Sequence, residues 1–307
     1  MAETDGNSYE PVSIGVLGCG TIASALITGM CKTQAKADPS IPVISRISLS
    51  RRSEKKSAAL KEAYPDLVTV YDDNQKVLDT CDLVFLCVLN NQTATVLEPL
   101  QFDNQRHTLV SMVATSKLDM LTEATKLNPE RVFKMICLPS AAKQEGCALI
   151  VPKVGATEKA ANPTISTIHC MLDLLGGFVE CETEEIMDVM ITPTCLMGPL
   201  YGILRQNQEW LVKKGVPAKD ATYFVGRQYW SMMQDAERGC QKDPNHFEEL
   251  VAEQTPGGLN EQALRNLTQL GIYGAYDQAM EAVLSRLHGD SDGSLPTTKE
   301  NGIKKET

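Results

Sequence analysis

None of the ten cysteines stands in a Cys-x-x-Cys pair, which excludes zinc ribbons and thioredoxin-type motifs. Basic residues are not in excess: 29 Lys and Arg face 39 Asp and Glu, giving a formal net charge of −10. Duplex nucleic-acid binders carry a basic face, so nucleic acid is not an expected partner. No apolar run approaches the ~20 residues of a membrane span, and no membrane partner is expected. The opening residues MAETDGNSYEP are polar and acidic, unlike a secretory leader. Histidines number four, at 107, 169, 246 and 288, with no metal-ligand spacing, so no metal is expected. What is present is 307 residues with 43% hydrophobic content, enough for two medium domains with ordinary cores. Cysteines inside apolar runs such as LVFLCV and KMICLP read as reduced core residues, and the expected location is cytoplasmic.

The pattern along the chain divides into four parts. Residues 1–10 read as a flexible tail. From 11 to 182, short apolar runs alternate with helical stretches. Strands are expected at 12–18, 44–50, 67–71, 82–88, 108–114, 131–138, 147–153 and 176–181, with helices at 24–31, 53–65 and 158–174. That alternation predicts a doubly wound, mostly parallel α/β sheet. From 183 to 288 the strand signal fades into long helical patterns over 184–190, 201–215, 218–239 and 260–289. Gly215 is placed to end one of these helices, and Pro217 to open the next. Residues 289–307 are rich in Asp, Gly, Ser, Thr and Lys and read as a second flexible tail.

The most informative residues are Gly18-Cys19-Gly20-Thr21-Ile22-Ala23. They close an apolar strand and open a helix, the setting in which Gly-x-Gly-x-x-(Gly/Ala) binds a dinucleotide. Gly18 permits the tight turn, Gly20 lets a pyrophosphate approach the backbone, and Ala23 lets helix pack on strand. The helix start offers N–H groups and partial positive charge to the phosphates. At the end of the second strand, an NAD site carries an Asp or Glu for the ribose hydroxyl. Here stand Ser50-Arg51-Arg52-Ser53, followed by Lys55 and Lys56. Guanidinium groups suit a 2′-phosphate, so NADP (NADPH) is expected in preference to NAD.

From about 12 to 285 the order of motifs resembles the pyrroline-5-carboxylate reductase family. IGVLGCGTIASAL matches its opening turn, and SRRSEK its Ser-x-Arg segment. Asp73-Asn74 matches an Asp-Asn whose Asn lies near the cofactor. Cys87-Val88-Leu89 stands where the family has Ala-Val-Lys, and LVSMVAT, ending near Ala114, where it has Ser-x-x-Ala-Gly. Gly198-Pro199-Leu200-Tyr201 matches a Gly-Pro-Ala-Tyr helix start. Thr255-Pro256-Gly257-Gly258 matches the strongest C-terminal signature. The resemblance implies a Rossmann domain followed by an all-α dimerisation domain, in a homodimer or a larger oligomer of dimers. It implies hydride transfer between a nicotinamide and the C=N bond of a small imino acid. Cofactor contacts would come from Gly18, Cys19, Gly20, Thr21, Ile22, Ser50, Arg51, Arg52, Asn74, Cys87, Val88, Leu89 and Ala114. Substrate contacts would come from Gly257, Gly258 and Asn260.

The substrate end departs from the family. After Pro-Gly-Gly, where the family has threonines that hold a substrate carboxylate, this chain has Leu259-Asn260-Glu261. Asn260 can still donate to a carboxylate, whereas Leu259 cannot, and an inward Glu261 would repel one. The family's Met-Pro-Asn-Thr-Pro becomes Ile136-Cys137-Leu138-Pro139-Ser140, and a lysine near the nicotinamide becomes Leu89. Asn260, Glu261 and Tyr201 are the candidate catalytic residues, the last two as acids should one be required. The expected function is an NADP-dependent oxidoreductase acting on an imine or related small substrate. A true proline-forming reductase and a catalytically silent nucleotide-binding paralogue are the alternatives. A 6-phosphogluconate-dehydrogenase-like enzyme has the same layout but needs a lysine on the first interdomain helix, and residues 184–205 contain none.

Overall fold

A computed structural model describes residues 11–34, 41–155 and 162–295. The tail expected at 1–10 lies outside the described residues, as does all of the second beyond 295. The chain divides into two compact units after Ile191, nine residues beyond the boundary expected at Glu182.

The first unit opens with β1 (Val12–Leu17) and α1 (Thr21–Gln34). It continues through β2 (Ile44–Ser50), α2 (Glu54–Ala63), β3 (Val68–Tyr71), α3 (Asn74–Asp79) and β4 (Leu83–Leu86). Then follow α4 (Thr93–Leu97), β5 (Thr108–Ser111), α5 (Leu118–Thr125), β6 (Val132–Ile136) and β7 (Ala148–Val151). The unit closes with α6 (Pro163–Leu174), β8 (Phe178–Glu180) and α7 (Glu184–Ile191). One eight-stranded sheet results, in the order β3-β2-β1-β4-β5-β6-β7-β8. Every pair is parallel except β6 with β7. This is the doubly wound, Rossmann-type arrangement.

The apolar runs explain it. Side chains alternate across a strand, and on β4 Leu83 and Phe85 enter one core while Val84 and Leu86 enter the other. A strand covered on both faces must be apolar throughout. Most strands are shorter than expected, because residues at one or both ends belong to the flanking loops. One polar group breaks the pattern: Lys134 on β6 is fully buried, with its Nζ 2.8 Å from Glu184 Oε1 on α7. Glu184 also accepts from the Leu118 N–H at the start of α5 (3.2 Å). Lys117 Nζ lies 3.2 Å from the buried carboxylate of Asp188.

The second unit is helical, with α8 (Met197–Lys213), α9 (Ala218–Cys240), α10 (His246–Ala252), α11 (Leu259–Gln269) and α12 (Ile272–His288). Gly215 ends the first helical run, the Val216 N–H reaching back to Leu211 O (3.1 Å), and Pro217 sits at the cap of α9. The single helix expected over 260–289 is two, because Gly271 takes φ +77°, a left-handed value that ends α11. The helix α10 has no counterpart in the expectation. By length and composition, the stretch Glu184–Lys213 is long and apolar enough to cross a membrane, contrary to the sequence expectation. One face of its first part is packed as protein interior: Met187 and Ile191 are buried, Ile186 and Val189 are exposed, and Asp188 pairs with Lys117.

Candidate functional site

The five parallel strands β3, β2, β1, β4 and β5 bring their C-terminal ends to one edge of the sheet. Strand order reverses there, between β1 and β4, the place where such sheets bind ligands. The residues expected to hold a cofactor all fall on this edge. Gly18 follows β1 with φ +92°, and a Cβ on it would lie 2.5 Å from Cys87 O. Only glycine fits that backbone. Its N–H donates to Ser50 Oγ at 2.7 Å. Ser50 is buried, so in this geometry its hydroxyl braces the turn, whereas direct contact with the cofactor was expected. At Gly20 a Cβ would meet nothing within 4 Å. That open space, over the N-terminus of α1, fits a phosphate pressed against the backbone.

Cys19 and Ala23 point into the core and are fully buried, so Cys19 offers a ligand only its backbone. Ile22 is half-buried against the same core. Thr21 is exposed at the first position of α1, and its Oγ1 accepts from Lys56 Nζ at 2.6 Å. Lys56 on α2 therefore stands beside the mouth of the turn. The basic run containing it was visible in the sequence, but which lysine of the run reaches α1 was not.

Arg51 and Arg52 lie exposed beyond β2. The Arg51 guanidinium is shared with Asp72 beyond β3 (Nε to Oδ1 2.8 Å). Asn74 opens α3, half-buried, after Asp73 caps that helix by accepting from Gln75 N (2.9 Å). Past β4, Cys87 and Val88 are half-buried and Leu89 is exposed. Ala114 lies half-buried beyond β5. Burial pushes the Cys19 and Cys87 thiols up, and for Cys87 the nearby thiols of Cys137 and Cys19 add to the effect. Neither is a ready nucleophile.

In the second unit, Thr255–Gly258 forms the turn that enters α11, with Gly258 at the N-cap. Gly258 N–H donates to Thr255 O (2.9 Å), and Gly257 N–H to Glu261 Oε2 (2.7 Å). Glu261 is half-buried, whereas Leu259 is 84% exposed and Asn260 is exposed. Tyr201 on α8 is also exposed. The described contacts join Glu261 to Gly257 but join neither Asn260 nor Tyr201 to that pair. The assignment of Glu261 to the turn backbone was not foreseen. A Glu three residues after an N-cap is the signal that points to it.

Residues 13–115 match the family model described as NADP oxidoreductase, coenzyme F420-dependent. A pyrroline-5-carboxylate reductase of Corynebacterium melassecola is 25% identical over 281 residues, covering 89% of this chain and 97% of that protein. The crystal structure of 1-pyrroline-5-carboxylate reductase from Streptococcus pyogenes superposes with a TM-score of 0.71 at 20% identity, over 91% of this chain and 99% of that one. The Plasmodium falciparum pyrroline carboxylate reductase with NADP bound gives 0.71 at 17% identity, over 93% and 100%. Together these findings show a chain similar to pyrroline-5-carboxylate reductases along nearly its whole length, and they support a pyridine-nucleotide-dependent oxidoreductase.

Proposed function

We propose that this divergent relative of the pyrroline-5-carboxylate reductases is an NADP-dependent oxidoreductase that moves a hydride between a nicotinamide and the C=N bond of a small substrate. The observation that carries the reading is the turn at Gly18–Gly20, braced by Ser50 and left open over Gly20 at the start of α1. The cofactor, when bound, supplies the hydride; the protein's part is to bind, orient and exclude water. The backbone of 18–22 receives the pyrophosphate on the N–H groups of the first turn of α1. Lys56, drawn to Thr21, adds a cation beside it.

NADP is favoured over NAD by Arg51, Arg52 and the absence of an acidic residue at the end of β2. Asp72 limits this preference, since it holds Arg51 until a 2′-phosphate displaces it. Asn74, Cys87, Val88, Leu89 and Ala114 line the same sheet edge and face the rest of the cofactor. At the substrate end the turn of Gly257 and Gly258 borders the small molecule and the Asn260 amide supplies a donor, with Glu261 and Tyr201 as the candidate acids. An iminium substrate arrives already protonated, so hydride addition to carbon completes the reduction without a protein acid. The aromatic face of the helical unit suits a second copy of the chain, and a homodimer is the expected assembly.

The test is direct. NADPH and NADH binding is titrated by nucleotide fluorescence for the wild-type chain and for Arg51→Ala with Arg52→Ala. Loss of charge-assisted contacts to a 2′-phosphate should weaken NADPH by about tenfold or more and leave NADH within about twofold. Equal effects on both would remove the arginines from that role. Tight NADPH binding with no oxidation on any cyclic imine or 2-oxo acid would leave a silent nucleotide binder.

A further inference from the structure

The turn that opens α11 already holds a carboxylate, and it is the protein's own. Glu261 Oε2 accepts the Gly257 N–H at 2.7 Å. The other glycine amide of the turn, Gly258 N–H, is spent on Thr255 O at 2.9 Å. Both glycine donors are therefore closed by the chain itself. The next side chain outward is Leu259, 84% exposed, a hydrocarbon with no hydrogen bond to offer. The start of a helix attracts one negative charge through its N–H groups and dipole. Here Glu261, at the third position of the helix, supplies that charge, in the manner of a capping box that reaches one residue farther back. An incoming carboxylate would have to displace Glu261 from Gly257 and then lie beside its charge. An incoming cation meets the opposite situation, a fixed negative group beside a leucine.

We infer that the substrate of this chain is a cyclic imine that lacks a carboxylate, taken as its iminium, with Glu261 as the counter-charge. The inference rests on the proposed imine-reducing function with its substrate end at residues 257–260. In the reaction the iminium carbon receives a hydride, the C=N π pair becomes the nitrogen lone pair of a neutral amine, and NADPH leaves as NADP+. No further proton is consumed until the amine takes one from water. Glu261 supplies the iminium with a counter-charge without exchanging a proton, and Leu259 offers no hydrogen bond to a carboxylate.

The experiment uses the full-length protein with NADPH and compares 1-pyrroline with 1-pyrroline-5-carboxylate. The expected result is a kcat/KM at least about tenfold higher for 1-pyrroline. Glu261→Gln should lower the value for 1-pyrroline, raise it for the carboxylated imine and move their ratio by about tenfold or more toward the latter. A second readout needs no turnover: with NADP+ bound, pyrrolidine should raise the melting temperature of the wild-type protein and proline should not. A wild-type preference for the carboxylated imine, or stabilisation by proline alone, overturns the inference and leaves the reductase reading standing. A ratio that Glu261→Gln does not move also overturns it. If neither imine is reduced and neither amine stabilises the NADP+ form, the imine-reductase reading falls and the inference with it. Should Glu261→Gln fail to fold, the wild-type ratio and the two amines still decide.

Discussion

The two units of this chain bury themselves to opposite degrees. In the sheet unit both faces of the strands are sealed, one by α1 and α6 and the other by α3 and α5, with two apolar clusters between them. In the helical unit, among the described residues, only Thr192, Ala221 and Val225 are buried. Tyr223, Phe224 and Trp230 on α9 are each at least half exposed. Exposed aromatic side chains on one helix are the kind of surface that an interaction face uses. The sheet unit thus carries its own core, while the helical unit leaves large side chains uncovered in the single chain, the surface that the proposed second copy would cover. The difference also separates what each unit can tell about function. A self-contained core fixes its turn rigidly, so the nucleotide end reads clearly. The proposed substrate end sits on helices whose large side chains are largely uncovered in the single chain.

The buried pair Lys134–Glu184 is where the sheet unit is most vulnerable. Lys134→Ala leaves Glu184 without its cation while Glu184 still accepts from Leu118 N–H. Removing one partner of a buried ion pair costs about 3–5 kcal/mol. The largest loss of stability, read by urea or thermal unfolding, is expected from this variant. The double replacement Lys134→Met with Glu184→Leu should recover part of it, because no charge is then stranded while the Leu118 N–H loses its acceptor. A small effect of Lys134→Ala would mean that the sheet unit tolerates an uncompensated charge and is less tightly sealed than its burial implies.

Gly18→Ala comes next. The new Cβ meets Cys87 O in a backbone with φ +92°, and a strained left-handed residue costs about 1–3 kcal/mol. The loss should be accompanied by collapse of NADPH affinity, since the turn can relieve the clash only by moving away from Ser50. Full nucleotide binding with unchanged melting would show that the turn is not rigid.

In the helical unit the same logic predicts a different signature. Tyr223→Glu together with Trp230→Glu puts charge on the exposed aromatic face. Centrally placed aromatic residues of interfaces are worth about 2 kcal/mol or more each. Sedimentation should show the proposed homodimer falling to single chains, with NADPH affinity changed less than about twofold. Unchanged sedimentation would place the interface on another face, and a large loss of NADPH affinity would break the separation of the two units.

Legibility followed the same division. The strand–Gly18-x-Gly20–helix turn was readable because its parts are adjacent in sequence and each glycine has a steric reason. The class of the sheet was readable because two-sided burial forces unbroken apolar runs such as LVFLCV. Lys134 inside the run VFKMI was not assigned, because its partner Glu184 is fifty residues away and no local pattern points to it. The Ser50 hydroxyl was assigned to the cofactor; that it also accepts from the Gly18 N–H could not be seen in the sequence. The break at Gly271 was missed because apolar spacing carries on through it. A single left-handed glycine costs that pattern nothing. Glu261 was read as a possible acid, although its spacing from Gly258 is that of a residue reaching back to a turn.

The smallest predicted effect sharpens the account of the sheet unit's rim. His107 is buried, its Nδ1 accepting from Asp103 N–H at 2.9 Å, with its ring edge-on to Phe102. Burial lowers its pKa from the usual 6.5, and the neighbouring Arg106 guanidinium lowers it further. A protonated ring would carry a hydrogen on Nδ1 and lose the bond from Asp103. Well above pH 6.5 the ring is neutral in both folded and unfolded chains, and this group gives no pH dependence. As pH falls below that value the unfolded chain takes up the proton first, so stability declines until the folded chain also protonates. The slope from one such group cannot exceed about 1.4 kcal/mol per pH unit. Melting curves at pH 7.5 and 5.5 should therefore show a larger acid loss for the wild-type chain than for His107→Asn. The asparagine amide oxygen can still accept from Asp103 and does not titrate. Equal losses in both would show that water reaches His107, and that the sealing of the sheet unit stops short of this edge.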